Sequence, residues 1–340
     1  MTSLVNERSV SSFLRDLAPV AVYTYSRVEH FKRTVDALAR NRLAKETVLY
    51  VVSDGPKTPE VVPLVSAIRD IADDLRGFRE VVKIYRSENL GIGTSPLLAE
   101  QQIIADHGKI ISMEDDNVTA TNFLCFINQG LAHFEGDDTV FSVCGYVPPV
   151  LPGRQLHGDF FWYPWNMAWG YGVWKRQYDR IYPLVNPYNE FRRNGVLKRM
   201  VKAGGLYITD SMRRDAAGQG KFLDSVLCAR MFVQGMRAVI PTSSKVLNIG
   251  LDGSGTSSRR KTDKYSVSLD ESEKSEFDFN SPSKDGEDIN KAVKALFNGS
   301  WATRCARSLG FYDQALRLKN RIAERREMTH AWLGNMDSKS

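Results

Sequence analysis

Cysteine is scarce in this chain, and no two cysteines are close together. The 340 residues include four, Cys125, Cys144, Cys228 and Cys305, with no CxxC pair and no Cys/His cluster. This argues against a disulfide framework or a structural zinc site and for reduced, buried thiols. Long apolar runs are also missing: nothing approaches the roughly 18 uninterrupted apolar residues that cross a bilayer. The opening MTSLVNERSVSSFLRDL has neither the apolar core nor the cleavage-like site of a secretory leader, so a cytoplasmic protein is expected. No large charge imbalance exists. Forty-six basic residues face 40 acidic ones, a formal charge of +6, which suits an anionic ligand or surface but does not itself indicate nucleic acid. The basic residues are not interleaved with aromatics and no nucleic-acid module is present, so no nucleic-acid partner is expected. There is no internal repeat. The glycines of SENLGIGTS have no Walker lysine behind them, and Pro96 stands where GxGxxG needs its last glycine.

What is present is an alternation of strand and helix. PVAVYTYSR (19–27) is rich in Val and Tyr, as a buried strand should be. Val28, Phe31, Val35 and Leu38 then recur on one helical face. TVLYVVSDG (47–55), VVKIYR (81–86), KIISM (109–113) and VFSVCGY (140–146) read as further strands, with helical spacing between them. Such alternation predicts a mixed, mainly parallel α/β sheet with helices on both faces. In these sheets ligands lie at the carboxyl ends of the strands. The polar strand ends are Arg27, Asp54-Gly55, Arg86 to Asn89, and Glu114-Asp115-Asp116, and they should converge along one edge. The division expected is a catalytic α/β domain over 1–262, a polar mobile loop over 263–290 and a basic helical extension over 291–340.

Three adjacent acids repel one another. They are tolerable facing water, capping the next helix, or holding a cation. Mg²⁺ or Mn²⁺ takes oxygen ligands and is commonly held by one or two carboxylates plus substrate phosphates, which suits Asp116 first and Asp115 next. Asn89 and the helix N-terminus after it are placed to meet a sugar or phosphate, against the plainer reading of a tight turn. FFWYPWNMAWGYGVW (160–174) concentrates four of the six tryptophans. Trp165 and Trp169 are candidates for stacking on an acceptor sugar, or are core. Gly253 and Gly255 with Arg259, Arg260 and Lys261 have the composition of a lid over a diphosphate, or of an ordinary loop.

In order and rough spacing, APVAVYTYSR, VVSDG, RSENLGIG and ISMEDDN resemble GT-A glycosyltransferases of the family-2-like type. MAWGYGVWKRQYDR is similar to the WGW-A-TWK-RW segment of a bacterial subgroup of sugar transferases. VIPTSSKVLNIGLDGSGTSS resembles that subgroup's P-x-x-N-L-V-x-N-I-G-x-x-G-x-G-T-H. The likeness covers about residues 18–258. It implies an inverting transfer of a sugar from a nucleotide-diphosphate donor, by family habit a UDP-sugar, to a glycan or lipid-linked glycan acceptor in surface polysaccharide (O-antigen or capsule-type) assembly. It implies Glu114-Asp115-Asp116 as the DXD-like element with Mn²⁺ or Mg²⁺ on Asp116, Arg27, Asp54 and Asn89 at the donor, Arg259 and Lys261 at its diphosphate, and Asp224 as general base. Two departures stand out. The subgroup's SWDYQW is KFLDSVLCAR here, keeping only Asp224, and the His of GTH is Ser257. They keep alive a non-catalytic glycan- or nucleotide-binding relative. A nucleotidyltransferase is the other rival, although PVAVYTYSR lacks its Gly/Arg-rich loop. Over 291–326, nine Lys/Arg face two Asp/Glu, and Phe311, Ala315, Leu318 and Ile322 share a helical face. Such a tail suits an anionic membrane surface, packing on the domain, or a homodimer contact.

Overall fold

The computed structural model describes residues 16–151, 154, 156–254, 262–312 and 314. Arg259, Arg260, Lys261, Gly255 and Ser257 lie outside the described residues, as do Ala315, Leu318 and Ile322 of the tail. Chain contacts divide the protein into two compact units, Met1–Val185 with Val226–Ala292 and Asn186–Ser225 with Val293–Ser340.

The first unit is a mixed α/β sheet flanked by helices. Its strands are β1 (Val20–Thr24), β2 (Val48–Ser53), β3 (Glu80–Tyr85), β4 (Lys109–Glu114), β6 (Val140–Cys144), β7 (Phe160–Tyr163), β8 (Tyr171–Trp174) and β9 (Arg237–Pro241), in the spatial order β3-β2-β1-β4-β8-β6-β9-β7. A separate antiparallel pair joins β5 (Asn117–Thr119) to β10 (Val246–Asn248). The β1–β2, β2–β3, β1–β4 and β6–β9 pairs are parallel, and β8 runs antiparallel to both β4 and β6. The helices between strands are α1 (Val28–Ala39), α2 (Val62–Asp73), α3 (Gly91–His107), α4 (Phe123–His133) and α5 (Lys175–Ile181). Helix α1 buries Phe31, Val35 and Leu38, the face its spacing foretells. β1 and β4 are almost wholly buried, because helices cover both faces of the parallel half.

Two features differ from the sequence reading. The aromatic stretch 160–174 contains two strands, and β8 inserts between β4 and β6. Gly172 permits this, since a Cβ there would sit 2.7 Å from Ile127 and 2.9 Å from Leu131. The second difference concerns 263–290, expected as a mobile polar loop. It has no helix or strand before Gly286, yet it is fastened to the first unit. The Tyr146 hydroxyl donates to the Tyr265 carbonyl at 2.8 Å, and the Asp270 amide donates to the Ser244 carbonyl at 2.8 Å. Lys245 and Asp270 form a buried ion pair. Phe279 packs among Phe126, Phe134 and Phe160. Two aromatics, Phe277 and Phe279, anchor a run whose composition is otherwise that of a solvated loop.

The second unit is helical: α6 (Tyr188–Arg193), α7 (Val196–Lys202), α8 (Leu206–Ala216) and α11 (Trp301–Ser308). Of the three boundaries between the units, one falls between Val185 and Asn186 and the other two fall inside α9 (Leu223–Val233) and α10 (Gly286–Asn298). Among the described residues no helix is long and apolar enough to cross a membrane.

Candidate active site

β4 climbs through Ile110, Ile111, Ser112 and Met113, all buried, to Glu114 at its carboxyl end. Glu114 is exposed, while Asp115 and Asp116 are buried. Their burial depends on partners far away in sequence. Arg27, just before α1, forks between the two acids: one guanidinium nitrogen pairs with Asp115, and Nη1 lies 2.7 Å from Asp116 Oδ2. The Thr24 hydroxyl donates to Asp115 Oδ2 at 3.1 Å, and the Thr34 hydroxyl donates to the Asp115 carbonyl at 2.9 Å. Asn117 and Asn248 each donate a side-chain amide to Asp116 Oδ1, at 2.8 and 2.9 Å. The Ile249 amide donates to the Asp116 carbonyl. The β5–β10 pair therefore delivers Asn248 and Gly250 onto the acid cluster. Gly250 admits no side chain: a Cβ would stand 2.0 Å from Asp116 Oδ2 and 2.7 Å from Arg27 Nη1.

Desolvation pushes the Asp115 carboxyl above the usual range, opposed by Arg27 and reinforced by the Asp116 charge. Burial works against the Arg27 cation, but Asp115 and Asp116 together outweigh it and hold its pKa above the ordinary value. Counted formally among the described residues, the buried Asp115–Asp116 pair faces one guanidinium, a net −1. A diphosphate would be repelled by that, whereas a hard cation would be attracted. The donor chemistry thus fits a divalent ion, with Arg27 already covering one side of the acid pair. Among the described residues no group of three or more His, Cys, Asp or Glu is arranged to hold a metal by itself, so the balance of a coordination shell would have to come from phosphates and water.

Two strands away, at ~4.8 Å per strand, is a second cluster. Asp54 follows β2 and is buried. Its Oδ1 accepts from the amides of Gly55 and Leu90, both at 3.0 Å, and its Oδ2 accepts from Asn89 Nδ2 at 3.1 Å and the Gly91 amide at 2.8 Å. A carboxylate has about four acceptor positions, and all four are taken. Asp54 is the anionic cap of α3, holding the 86–91 turn against the end of β2. These bonds give Asp54 a part in shaping the loop at which a donor is expected. Asn89 also donates to the Gly55 carbonyl at 2.9 Å.

Sequence reasoning missed Arg69 of α2. It donates to the Arg86 carbonyl at 2.7 Å and to Ser53 Oγ at 3.2 Å, and lies over the Tyr85 ring. It ties the ends of β2 and β3 together. The signal was an Arg directly after Ile68, a position buried in an amphipathic helix. Asn248 was also missed, although it stands in the quoted VLNIG segment.

The aromatic candidates separate. Trp165 is fully buried and stacks on Phe232 at 5.3 Å between centroids. It is core, and its role in stacking on an acceptor is withdrawn for want of any exposed face. Trp169 is half-buried, edge-on to Tyr146 at 4.6 Å. Asp224 belongs to the second unit and stands exposed in the first turn of α9.

No family model matches this chain, and no curated protein matches it. Among solved structures it is similar to the mannosyltransferase PcManGT from Pyrobaculum calidifontis in complex with GDP-Man and Mn²⁺, at 14% identity and a TM-score of 0.38, covering 68% of this chain and 76% of that one. It is also similar to S. aureus TarS 1-349, at 12% identity and a TM-score of 0.39, covering 68% of this chain and 59% of that one. Against a longer S. aureus TarS structure the identity is again 12%, and 37% of that chain is covered. At these values the likeness carries no argument about what this chain binds or does.

Proposed function

We propose that the protein is a GT-A glycosyltransferase that moves a sugar from a nucleoside-diphosphate donor to a glycan acceptor. The observation that carries this reading is the carboxyl edge of β2, β1 and β4. There a buried acid pair under Arg27 and an ordered turn around Asp54 and Asn89 stand on neighbouring parallel strands, where such sheets bind nucleotides. The nucleoside end of the donor lies against the 54–55 and 86–91 segments, whose shape Asp54 and Arg69 hold. The diphosphate lies toward Asp116 and Arg27. Asp116 would hold a divalent ion, in competition with the Arg27 guanidinium. Such an ion supplies charge neutralisation to the departing diphosphate.

The protein's own groups do the rest. Asn117 and Asn248 fix the Asp116 carboxylate. Thr24 and Thr34 fix Asp115. Exposed Glu114 faces the reacting sugar. By the sequence resemblance Asp224 is the general base for the acceptor hydroxyl, and attack from the face opposite the leaving group inverts the anomeric centre. A partly open Trp169 offers a stacking face to the acceptor. The donor is a UDP-sugar and the acceptor a lipid-linked glycan in surface polysaccharide assembly. These finer assignments rest on the sequence resemblance.

The test is a calorimetric titration of UDP and of GDP in Mn²⁺ and then in EDTA. Binding of one nucleotide that requires Mn²⁺ supports the reading. Binding unaffected by EDTA removes the metal and leaves the leaving group to Arg27. No binding of either nucleotide removes the donor class.

A further inference from the structure

Helix α11 is turned inside out. At 3.6 residues per turn, Trp301, Cys305 and Leu309 share one face of α11 and its C-cap. That face points to solvent: Trp301 is 73% exposed and Leu309 69%, followed by Phe311 at 59%. The opposite face carries Thr303, Ala306 and Arg307, all partly buried, and packs on α8. An amphipathic surface helix normally does the reverse. Arg307 is what permits it. Its Nη1 donates to the Phe297 carbonyl at 2.9 Å, its guanidinium lies over the Tyr312 ring at 4.5 Å, and its Nε is 3.9 Å from buried Asp210. Ser300 caps the helix, accepting from the Thr303 amide. A polar anchor thus holds α11 with its bulkiest apolar residues outward.

The surroundings are cationic. Over 186–225 and 293–312 the second unit carries eleven Lys or Arg against four Asp or Glu. One of the four acids, Asp210, is taken up internally by Arg213 and Arg307. Part of this charge lies on α11 itself and on α7, which leads into the turn that the end of α10 holds. Asn298 donates to the Gly204 carbonyl at 2.9 Å and accepts from the Tyr207 amide at 3.2 Å, which ties the end of α10, just before α11, to the turn that follows the end of α7. That end carries exposed Arg199, Val201 and Lys202. Arg304 is exposed on α11 itself, flanking the Trp301 face.

We infer that this face, Trp301, Leu309 and Phe311, in a unit whose exposed cations include Arg199, Lys202 and Arg304, docks on an anionic lipid bilayer. Tryptophan favours the depth of the headgroups, and lysine and arginine are drawn to an anionic leaflet. The two act together on one surface. The inference does not depend on the nucleotide reading, because it uses none of the strand-end residues.

The test is co-sedimentation of the full chain with phosphatidylcholine vesicles, with and without phosphatidylglycerol. Wild type should bind the phosphatidylglycerol vesicles at least about tenfold better than the neutral ones. W301S/L309S, two exposed substitutions, should lose about tenfold of that binding with an unchanged melting temperature. R199E/K202E should lose the preference for phosphatidylglycerol. Equal partition of wild type onto both vesicle types, or no binding, overturns the proposal. So does undiminished binding by W301S/L309S, which would assign the contact to charge elsewhere in the chain. A dimer in sedimentation equilibrium that W301S/L309S dissolves also overturns it, since a second copy would then be the occupant.

Discussion

Arg27→Met tests the acid cluster directly. The Arg27 side chain is 23% exposed, and the Asp115 and Asp116 side chains it bridges are 5% and 6% exposed. Removing one partner from a buried ion pair costs roughly 3–5 kcal/mol, because the remaining charge is left uncompensated. Partial exposure of Arg27 puts the expected loss near the lower end, about 3 kcal/mol. In a chain of this size each kcal/mol moves the melting temperature by about 2 °C, so a drop of about 6 °C is expected at pH 7.5. The pH dependence has a definite sign. Desolvation holds Asp115 above its unfolded value even with Arg27 opposing. A carboxyl raised in the fold destabilises where it must stay charged, and ceases to once protonated. Without Arg27 it rises further, so the variant's deficit is largest at neutral pH and shrinks toward about pH 4–5. Mn²⁺ should restore more stability to the variant than to wild type, because the guanidinium no longer competes. Melting curves at pH 7.5 and pH 4.5, with and without Mn²⁺, read all three effects. A deficit that is equal at both pH values refutes the buried-charge reasoning. A variant that ignores Mn²⁺ refutes the competition.

Asp54→Ala removes the acceptor of four hydrogen bonds and should free the 86–91 turn; faster amide exchange at Leu90 and Gly91, with weakened nucleotide binding, is the expected readout. Gly250→Ala drives a methyl group against Asp116 and Arg27, and should abolish Mn²⁺-dependent nucleotide binding while the far-UV spectrum stays native. Asp224→Asn should leave donor binding intact and lower transfer by at least about a hundredfold, as loss of a general base does; transfer at the wild-type rate places the base elsewhere. Trp165→Ala should cost about 3–5 kcal/mol of stability, as truncation of a buried tryptophan does, measured by denaturant unfolding.

Much of the parallel half of the sheet was legible in the chain. β1, β2 and β4 are apolar on both faces, and the first helix after β1 has a clean buried face, so period and run length agree. β7 and β8 were not legible, because FFWYPWNMAWGYGVW has no alternation to mark where a strand stops. The place of β8 between β4 and β6 depends on the room made by Gly172, which no local pattern reports. The fastening of the 263–290 segment was hidden for the same kind of reason: Phe277 and Phe279 pack against the first unit amid residues of loop-like composition.

The site was legible as a place but not as a state. Strand ends bearing Arg27, Asp54, Asn89 and Glu114-Asp115-Asp116 do fall on one edge, and strand order alone brings them there. What each acid does there depends on partners tens of residues away. Asp54 and Asp116 look equivalent in sequence, each a carboxylate at a strand end before a turn. Asp54 accepts four hydrogen bonds, three from main-chain amides and one from the Asn89 side-chain amide, all within a single turn and its neighbour. These partners are fixed by the chain path, so Asp54 cannot release them without unmaking the start of α3. Asp116 accepts from two asparagine side chains and one arginine, all of which can turn on their own rotatable bonds. An incoming ligand can therefore take an oxygen of Asp116 by displacing a side chain, at a cost of a few kcal/mol, but can reach Asp54 only by local unfolding. On the function proposed above, mobility of the existing partners, rather than the presence of the carboxylate, is what suits Asp116 to a ligand and Asp54 to the fold.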